Sequence, residues 1–177
     1  IHKHNNPCGV AIRDNLLDAY LDALSCDNVS AFGGILTSNQ TIDIKVAEQI
    51  NKLFFEVLIA PNFSQSALDL LKSKKNRIII KLKSYPTNKL QARSCLNGVL
   101  EQDIDDKIEK FDDFKVVTKI SPSSTKSDDL VLASIIVKHT KSNCIAIVKN
   151  NQLIGSGMGQ VSRIDALNQA IEKSKIF

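Results

Sequence analysis

The sequence predicts an α/β fold in which helices cover both faces of a sheet. Helix-like and strand-like segments alternate through the first half of the chain, as in α/β domains. Two of the strand-like segments, residues 57–60 and 78–80, are apolar at every position. Continuous apolar strands are typical of sheets that are buried on both faces. The 177 residues suffice for one domain or two small ones.

Each element of the first half is predicted from apolar spacing or from a capping residue. Leucines at helical spacing predict a helix over residues 15–24. Asp43 and Ser64 are typical helix N-caps, and each precedes an apolar stripe that indicates a helix. Strands are predicted at residues 32–36, 57–60 and 78–80.

The second half is predicted to begin a separate unit. Residues 103–126 contain six acids and a Ser/Pro/Thr-rich stretch, which indicates an extended connection. A helix capped by Asp128 follows and runs to about His139. A strand at 144–148, an Asn-Asn turn and a returning strand come next, and Ser162 opens a final helix. We therefore predict a first unit over 1–102, a linker over 103–127 and the start of a truncated second unit over 128–177.

Composition excludes several classes of protein. The net charge of +4 is too small to indicate nucleic-acid binding, and the chain has no Trp on which bases could stack. No run approaches the ~18 apolar residues of a transmembrane helix, so no membrane association is predicted. The four cysteines form no Cys-x-x-Cys pair and are interpreted as reduced thiols of a cytoplasmic protein.

Residues 3–9 (KHNNPCG) carry the groups best suited to chemistry. The His4 imidazole can exchange a proton near neutral pH, and Lys3 supplies a positive charge beside it. An exposed tail with an incidental His and Lys is the alternative interpretation. Pro7-Cys8 is similar to part of the zinc deaminase motif, but Ala11 stands at the second cysteine position and no Glu follows His4 at the required spacing. No zinc site is therefore expected.

Three further segments are candidates for ligand binding. Residues 155–163 (GSGMGQVSR) follow a strand and open a helix, so that glycines, free N–H groups and Arg163 are available to an anion. A simple strand–helix turn is the alternative. Asn143 is able to orient a carbonyl group through its amide. Gly33 and Gly34 would let a ligand lie against the backbone.

Five segments in this order resemble one family: residues 3–9, 30–34, 56–61, 141–143 and 155–163. They are similar to the formyltransferase part of the bifunctional AICAR transformylase/IMP cyclohydrolase family of purine biosynthesis. The resemblance implies a cytidine-deaminase-like three-layer sandwich without zinc, with one complete unit and the beginning of a second. It also implies transfer of a formyl group from 10-formyltetrahydrofolate to the 5-amino group of AICAR, which yields FAICAR.

The resemblance also implies roles for individual residues. His4 would accept a proton and contact AICAR, Lys3 would stabilise developing charge, and Asn143 would orient the reacting groups. The remaining implied AICAR contacts are Gly33, Glu56, Asn143 and Arg163. Ile164 would border the folate, and a potassium ion would lie near Val137, Thr140 and Ser142.

Assembly and activity are expected to depend on more than this chain. The resemblance implies a homodimer whose active sites form where two subunits meet. The cyclohydrolase domain and several substrate-binding segments of the family are missing from this sequence, so the chain alone is expected to be inactive. Two alternatives stay open: a zinc-dependent nucleoside or base deaminase, and a non-catalytic nucleotide-binding module.

Overall fold

The computed structural model describes residues 1–85 and 87–176, and its largest element is a five-stranded mixed sheet. The strands are β1 His2–Lys3, β2 Asn6–Pro7, β3 Gly34–Thr37, β4 Phe55–Ala60 and β5 Ile78–Lys81. Their spatial order is β2-β1-β3-β4-β5. β3, β4 and β5 are parallel, whereas β1 is antiparallel to β2 and β3. The predicted α/β class is confirmed.

Three helices connect these strands: α1 Leu16–Ser25, α2 Ile44–Ile50 and α3 Gln65–Lys72. Each begins where a polar side chain caps it. The Asn15 side chain accepts a hydrogen bond from the Asp18 amide. The predicted caps Asp43 and Ser64 accept from the amides of Val46 and Ala67. These contacts satisfy amides that the first helical turn leaves without a partner.

The two faces of the sheet differ in burial. Leu36 and Leu58 pair across β3 and β4, and both belong to the main core with the helices. On the other face Ile35, Ile78 and Ile80 are 37–55 % exposed. Because β3, β4 and β5 are adjacent in chain order, both right-handed crossovers place α2 and α3 on the same face. The prediction that helices cover both faces of the sheet is therefore wrong for the face that carries these three exposed isoleucines.

A two-stranded hairpin follows β5 and was not predicted. It consists of β6 Leu90–Cys95 and β7 Gly98–Asp103, which pair in antiparallel register. Every residue in both strands is exposed. The hairpin lacks the buried apolar face that would mark strands in a sequence, and this is why the pattern analysis missed it.

The second half contains α4 Ser127–Lys138, β8 Ile145–Lys149, β9 Gln152–Gly157 and α5 Arg163–Ser174. Asn150 and Asn151 both have positive φ angles and form the predicted turn between β8 and β9. Asp128 is not the N-cap of α4 as predicted, because Lys126 holds that position two residues earlier and Asp128 lies in the first turn. Its negative charge favours that end of the helix. Phe177, the last residue of the predicted second unit, lies outside the described residues.

Backbone and side-chain contacts attach β9 to the first half of the chain. The Leu153 amide donates to the Val10 carbonyl at 2.9 Å. The Arg13 guanidinium donates to Asp22 at 2.6 Å and to the Gln152 side chain at 3.0 Å. These bonds fix the β8–β9 hairpin against α1. Among the described residues, no helix is both long and apolar enough to cross a membrane.

Gly155 and Gly157 lie within β9 and let α5 pack directly on its backbone. A Cβ atom at Gly157 would overlap the carbonyl oxygen of Ala166, and one at Gly155 would overlap that of Ala170. Ala166 and Ala170 are themselves completely buried. The interpretation that these two glycines admit a ligand is therefore wrong: the backbone that approaches them belongs to α5.

We expect Gly157→Ala to lower the free energy of unfolding by ~1–3 kcal/mol or more, because backbone atoms of α5 cannot yield as a flexible side chain would. Urea unfolding followed by circular dichroism measures the change. Gly98→Ala is the matched control, since its Cβ would meet nothing nearer than the Cys95 oxygen at 3.8 Å. Equal losses in the two variants would contradict the packing described for α5.

Candidate active site

A tight turn holds His4 at the tip of the hairpin formed by β1 and β2. His4 and Asn5 have φ angles of 50° and 69° and are the two central residues between paired Lys3 and Asn6. Two consecutive positive φ angles are typical of a type I′ hairpin turn, which Asn and His tolerate better than most residues. His4 is exposed. Its imidazole is therefore open to solvent on a backbone fixed by strand pairing, not on a loose tail.

Lys3 reaches from the same hairpin to a second motif. Its ammonium group donates to the carbonyl oxygen of Phe32. It also lies 3.5 Å from the point where a Cβ of Gly33 would stand. Gly33 has a φ angle of +68°, which favours glycine. The structure thus brings residues 3–4 and 30–34 together, and the Phe32 carbonyl is a contact that the sequence analysis did not single out.

Glu56 is located beside this group by the register of the sheet. The Gly33 amide donates to the Phe54 carbonyl at 2.8 Å, and Gly34 pairs with Phe55. The register shifts after this pair, so Glu56 lies between the paired residues Phe55 and Val57. Phe55 is completely buried, whereas Phe54 and Glu56 are exposed. A cation, a carboxylate and a glycine therefore lie near the amino ends of β3 and β4.

A second group of predicted residues surrounds one cavity of about 260 Å³. Its lining includes Asn143, Arg163 and the three residues proposed for potassium, which are Val137, Thr140 and Ser142. Cys144 lines it as well, and burial raises the pKa of this thiol. The Cys144 side chain is therefore a neutral, weakly polar part of the wall and not a thiolate.

Asn143 is held in place by the loop that leads into α5. Its side-chain amide donates to the carbonyls of Gln160 and Val161, at 3.0 and 3.2 Å. Its backbone amide also donates to Gln160, at 3.1 Å. The Asn143 side-chain oxygen accepts no hydrogen bond from the described residues, so it is available to a ligand.

The predicted site residues thus form two groups. Lys3, His4, Gly33 and Glu56 constitute the first, and the lining of the cavity with Asn143 and Arg163 constitutes the second. No hydrogen bond or ion pair among residues 1–85 and 87–176 joins the two groups directly. Ile164 is 60 % exposed and follows Arg163 at the start of α5.

His2 and His4 are two histidines separated by one residue, a spacing that could supply two ligands to a metal ion. In the described part of the chain, no three His, Cys, Asp or Glu side chains lie close enough to hold a metal ion together. Catalytic zinc sites use three protein ligands and an open position. The arrangement of these side chains therefore gives no support to the zinc deaminase alternative.

A family profile described as "AICARFT/IMPCHase bienzyme" matches residues 1–173, which include both groups of site residues. The chain belongs to this family. The match extends over all five segments on which the resemblance was based.

Curated relatives agree with the family and are much longer. A bifunctional purine biosynthesis protein PurH from Bacteroides thetaiotaomicron is 52 % identical over 177 residues, which is 100 % of this chain and 35 % of the relative. PurH proteins from Chlorobium phaeobacteroides and Acetivibrio thermocellus are 45 % and 44 % identical over 98 % and 96 % of this chain, and 33 % and 34 % of their own lengths. The chain thus spans about a third of these relatives.

The stability of the chain is expected to depend on the ionisation of His2, which lies next to Lys3. Burial lowers the pKa of His2 from 6.5 to about 4. The unfolded chain therefore binds the proton first as the pH falls. The stability associated with neutral His2 is complete above the unfolded pKa of 6.5 and is lost as the pH falls towards 4.

We therefore expect His2→Gln to reduce the loss of unfolding free energy between pH 6.5 and pH 4. Urea unfolding at a series of pH values measures the slope of the free energy of unfolding against pH. Lys45→Gln, which changes an exposed side chain of α2, is the control and should leave the slope unchanged. A slope in His2→Gln equal to that of the wild type would show that His2 is accessible to protons in the fold.

Proposed function

We propose that this chain carries part of the active site of AICAR formyltransferase. The proposed reaction moves a formyl group from 10-formyltetrahydrofolate to the 5-amino group of AICAR and releases FAICAR and tetrahydrofolate. The proximity of residues 3–4 to residues 30–34 carries the proposal. Lys3 and Gly33 are 30 positions apart in the sequence, yet the sheet places the Lys3 ammonium against the turn that contains Gly33.

The chemistry requires a base and a stabiliser of negative charge. The AICAR amine attacks the formyl carbon, a C–N bond forms, and the carbonyl electron pair moves to oxygen. His4 accepts the proton that the amine loses, and the Lys3 ammonium stabilises the oxyanion. The intermediate collapses by breaking the bond between the formyl carbon and N10 of the folate, and N10 takes the proton held by His4 as it leaves.

The positions of the side chains suit these roles. The Lys3 ammonium has three N–H groups, and the Phe32 carbonyl uses one of them, so two remain for a developing oxyanion. His4 is exposed on a turn whose backbone the hairpin fixes. An imidazole side chain is a suitable general base for such a proton transfer.

The remaining contacts of AICAR are assigned to both groups of residues. Under this proposal the Gly33 backbone and the Glu56 carboxylate contact the nucleotide, with Glu56 near the ribose hydroxyls. Arg163 presents a planar guanidinium that suits a phosphate or a carboxylate. Asn143 orients the reacting groups through its side-chain oxygen, and Ile164 borders the folate.

A potassium ion fits the wall of the cavity that contains Asn143. Val137, Thr140 and Ser142 all line it. The Thr140 hydroxyl donates its proton to the Ile136 carbonyl at 2.6 Å, which leaves the oxygen lone pairs free for a cation. Carbonyl and hydroxyl oxygens suit a hard cation. The ion would bind oxygen atoms at the carboxyl end of α4 and hold them in place.

The proposed enzyme acts as part of a longer polypeptide that also carries IMP cyclohydrolase activity. The PurH relatives are named as bifunctional, and this chain corresponds to about a third of their length. We further propose that the complete protein is a cytoplasmic homodimer and that the isolated chain is inactive.

We expect His4→Ala to lower formyltransferase turnover by at least ~10², the smaller effect typical of losing general acid–base help. The assay uses the complete polypeptide that carries this chain, with saturating AICAR and 10-formyltetrahydrofolate. Product is followed as tetrahydrofolate absorbance.

Lys45→Ala is the control, since it removes an exposed side chain of α2 outside both groups of site residues. It should retain turnover within about twofold of the wild type. Turnover in His4→Ala equal to that of the control would remove His4 from the mechanism. A wild-type protein without formyl transfer would refute the proposed function as a whole.

A further inference from the structure

An ion pair links the last helix to the turn that carries Gly33. The Asp27 carboxylate accepts a hydrogen bond from the Lys173 ammonium at 2.7 Å. The same carboxylate accepts from the Ser30 amide at 2.9 Å and from the Ser30 hydroxyl at 2.8 Å. The Asp27 side chain is only 16 % exposed and that of Lys173 34 %. The Asp27 carboxylate thus connects Ser30 in the turn to Lys173, which is far away in the sequence.

Asp27 shapes the whole turn that follows α1. Its backbone carbonyl accepts from the Ala31 amide at 3.2 Å, and the Ala31 carbonyl accepts from the Gly34 amide at 3.0 Å. Between these bonds lie the Phe32 carbonyl that holds Lys3 and the positive-φ residue Gly33. The two bonds connect Asp27 to Ala31 and Ala31 to Gly34. A displacement of Asp27 would therefore also displace the Phe32 carbonyl and Gly33, which lie between them.

The electrostatics of Asp27 agree with this role. Burial acts to raise its pKa, but the hydrogen bonds from Lys173 and Ser30 outweigh burial and hold the pKa below its usual value. Asp27 is consequently ionised at neutral pH. A partly buried carboxylate that loses its cation keeps the desolvation cost without the compensating contact.

Helix α5 connects this ion pair to the second group of site residues. Arg163 is its first residue and lines the cavity, while Lys173 lies in its last turn. At ~1.5 Å per residue the two are ~15 Å apart along the axis. Because Gly155 and Gly157 let α5 rest on the backbone of β9, the helix is fixed to the strand along this length.

We propose that Asp27 and Lys173 are positioning residues that fix the 27–34 turn against α5. The ion pair sets where Gly33 and Lys3 stand relative to Arg163 and Asn143. It thereby couples the two groups of site residues, which no direct hydrogen bond joins. Its catalytic consequence rests on the proposed formyltransferase function, whereas the fixing of the turn does not.

Amide hydrogen exchange in the 177-residue chain tests the fixing of the turn. In Lys173→Met we expect the Ala31 and Gly34 amides to exchange at least about fivefold faster, because the free energy required to open the turn locally decreases. The Leu36 and Leu58 amides in the central strands report global stability, and their exchange should change less. Lys173→Arg keeps the charge and should restore slow exchange in the turn.

Lys126→Met is the matched control for removal of a lysine. Lys126 forms an ion pair with Asp129 at 3.5 Å within the start of α4 and has no bond to the 27–34 turn. Its loss should leave the Ala31 and Gly34 amides unchanged. Exchange in Lys173→Met that matches this control, or that is equally fast in Lys173→Arg, would overturn the proposal.

Kinetics of the complete polypeptide test the catalytic consequence. We expect Lys173→Met to raise the KM for AICAR about tenfold, because the Gly33 backbone contact is displaced, while Lys173→Arg stays near the wild type. A purely structural role would lower the melting temperature and leave KM unchanged at temperatures where the fold is intact. An unchanged KM in Lys173→Met would overturn the coupling to the site.

The two measurements separate the two proposals. A wild-type polypeptide that transfers no formyl group would refute the proposed function, and amide exchange would still decide whether the ion pair fixes the turn. If Lys173→Met speeds exchange of the Ala31 and Gly34 amides but leaves the KM for AICAR unchanged, the ion pair stabilises the turn only. That result would overturn its role in AICAR binding.

Discussion

The contact between the Lys3 ammonium and the Phe32 carbonyl defines the first half of the candidate site. It requires the pairing of β1 with β3 and a positive φ at Gly33. The sharp turn at His4 and Asn5 closes the β1–β2 hairpin directly after Lys3, so His4 follows Lys3 at its tip. The sheet thus brings together residues 3–4 and 30–34, two short motifs that are distant in the sequence.

The second half of the site depends on a different constraint, the direct packing of α5 on β9. Gly155 and Gly157 remove the side chains that would separate helix and strand. As a result Arg163 enters the cavity beside Asn143. The other end of the same helix reaches Asp27, so the helix spans the distance between the two groups.

Much of this arrangement was predictable from local rules. Asp43, Ser64 and Ser162 were recognised as helix caps, and each accepts a hydrogen bond from the first turn of its helix. The Asn150-Asn151 turn followed from the preference of Asn for positive φ. Membership of the family followed from five ordered motifs and agrees with the profile match over residues 1–173.

The rest depended on tertiary contacts that leave no local pattern. The exposed β6–β7 hairpin has no apolar face to detect. Gly155 and Gly157 have the spacing of a ligand-binding loop, and only the position of α5 shows that they serve packing. Asp27 and Lys173 are 146 residues apart, so nothing in the sequence alone pairs them.

The central claim is that two groups of residues contact one nucleotide. A crystal structure of the complete polypeptide with AICAR tests it most directly. The account predicts that the 5-amino group lies within hydrogen-bond distance of His4 or Lys3 and that the same molecule contacts Gly33 and Arg163, from one subunit or two. AICAR bound away from Lys3 and His4 would contradict it.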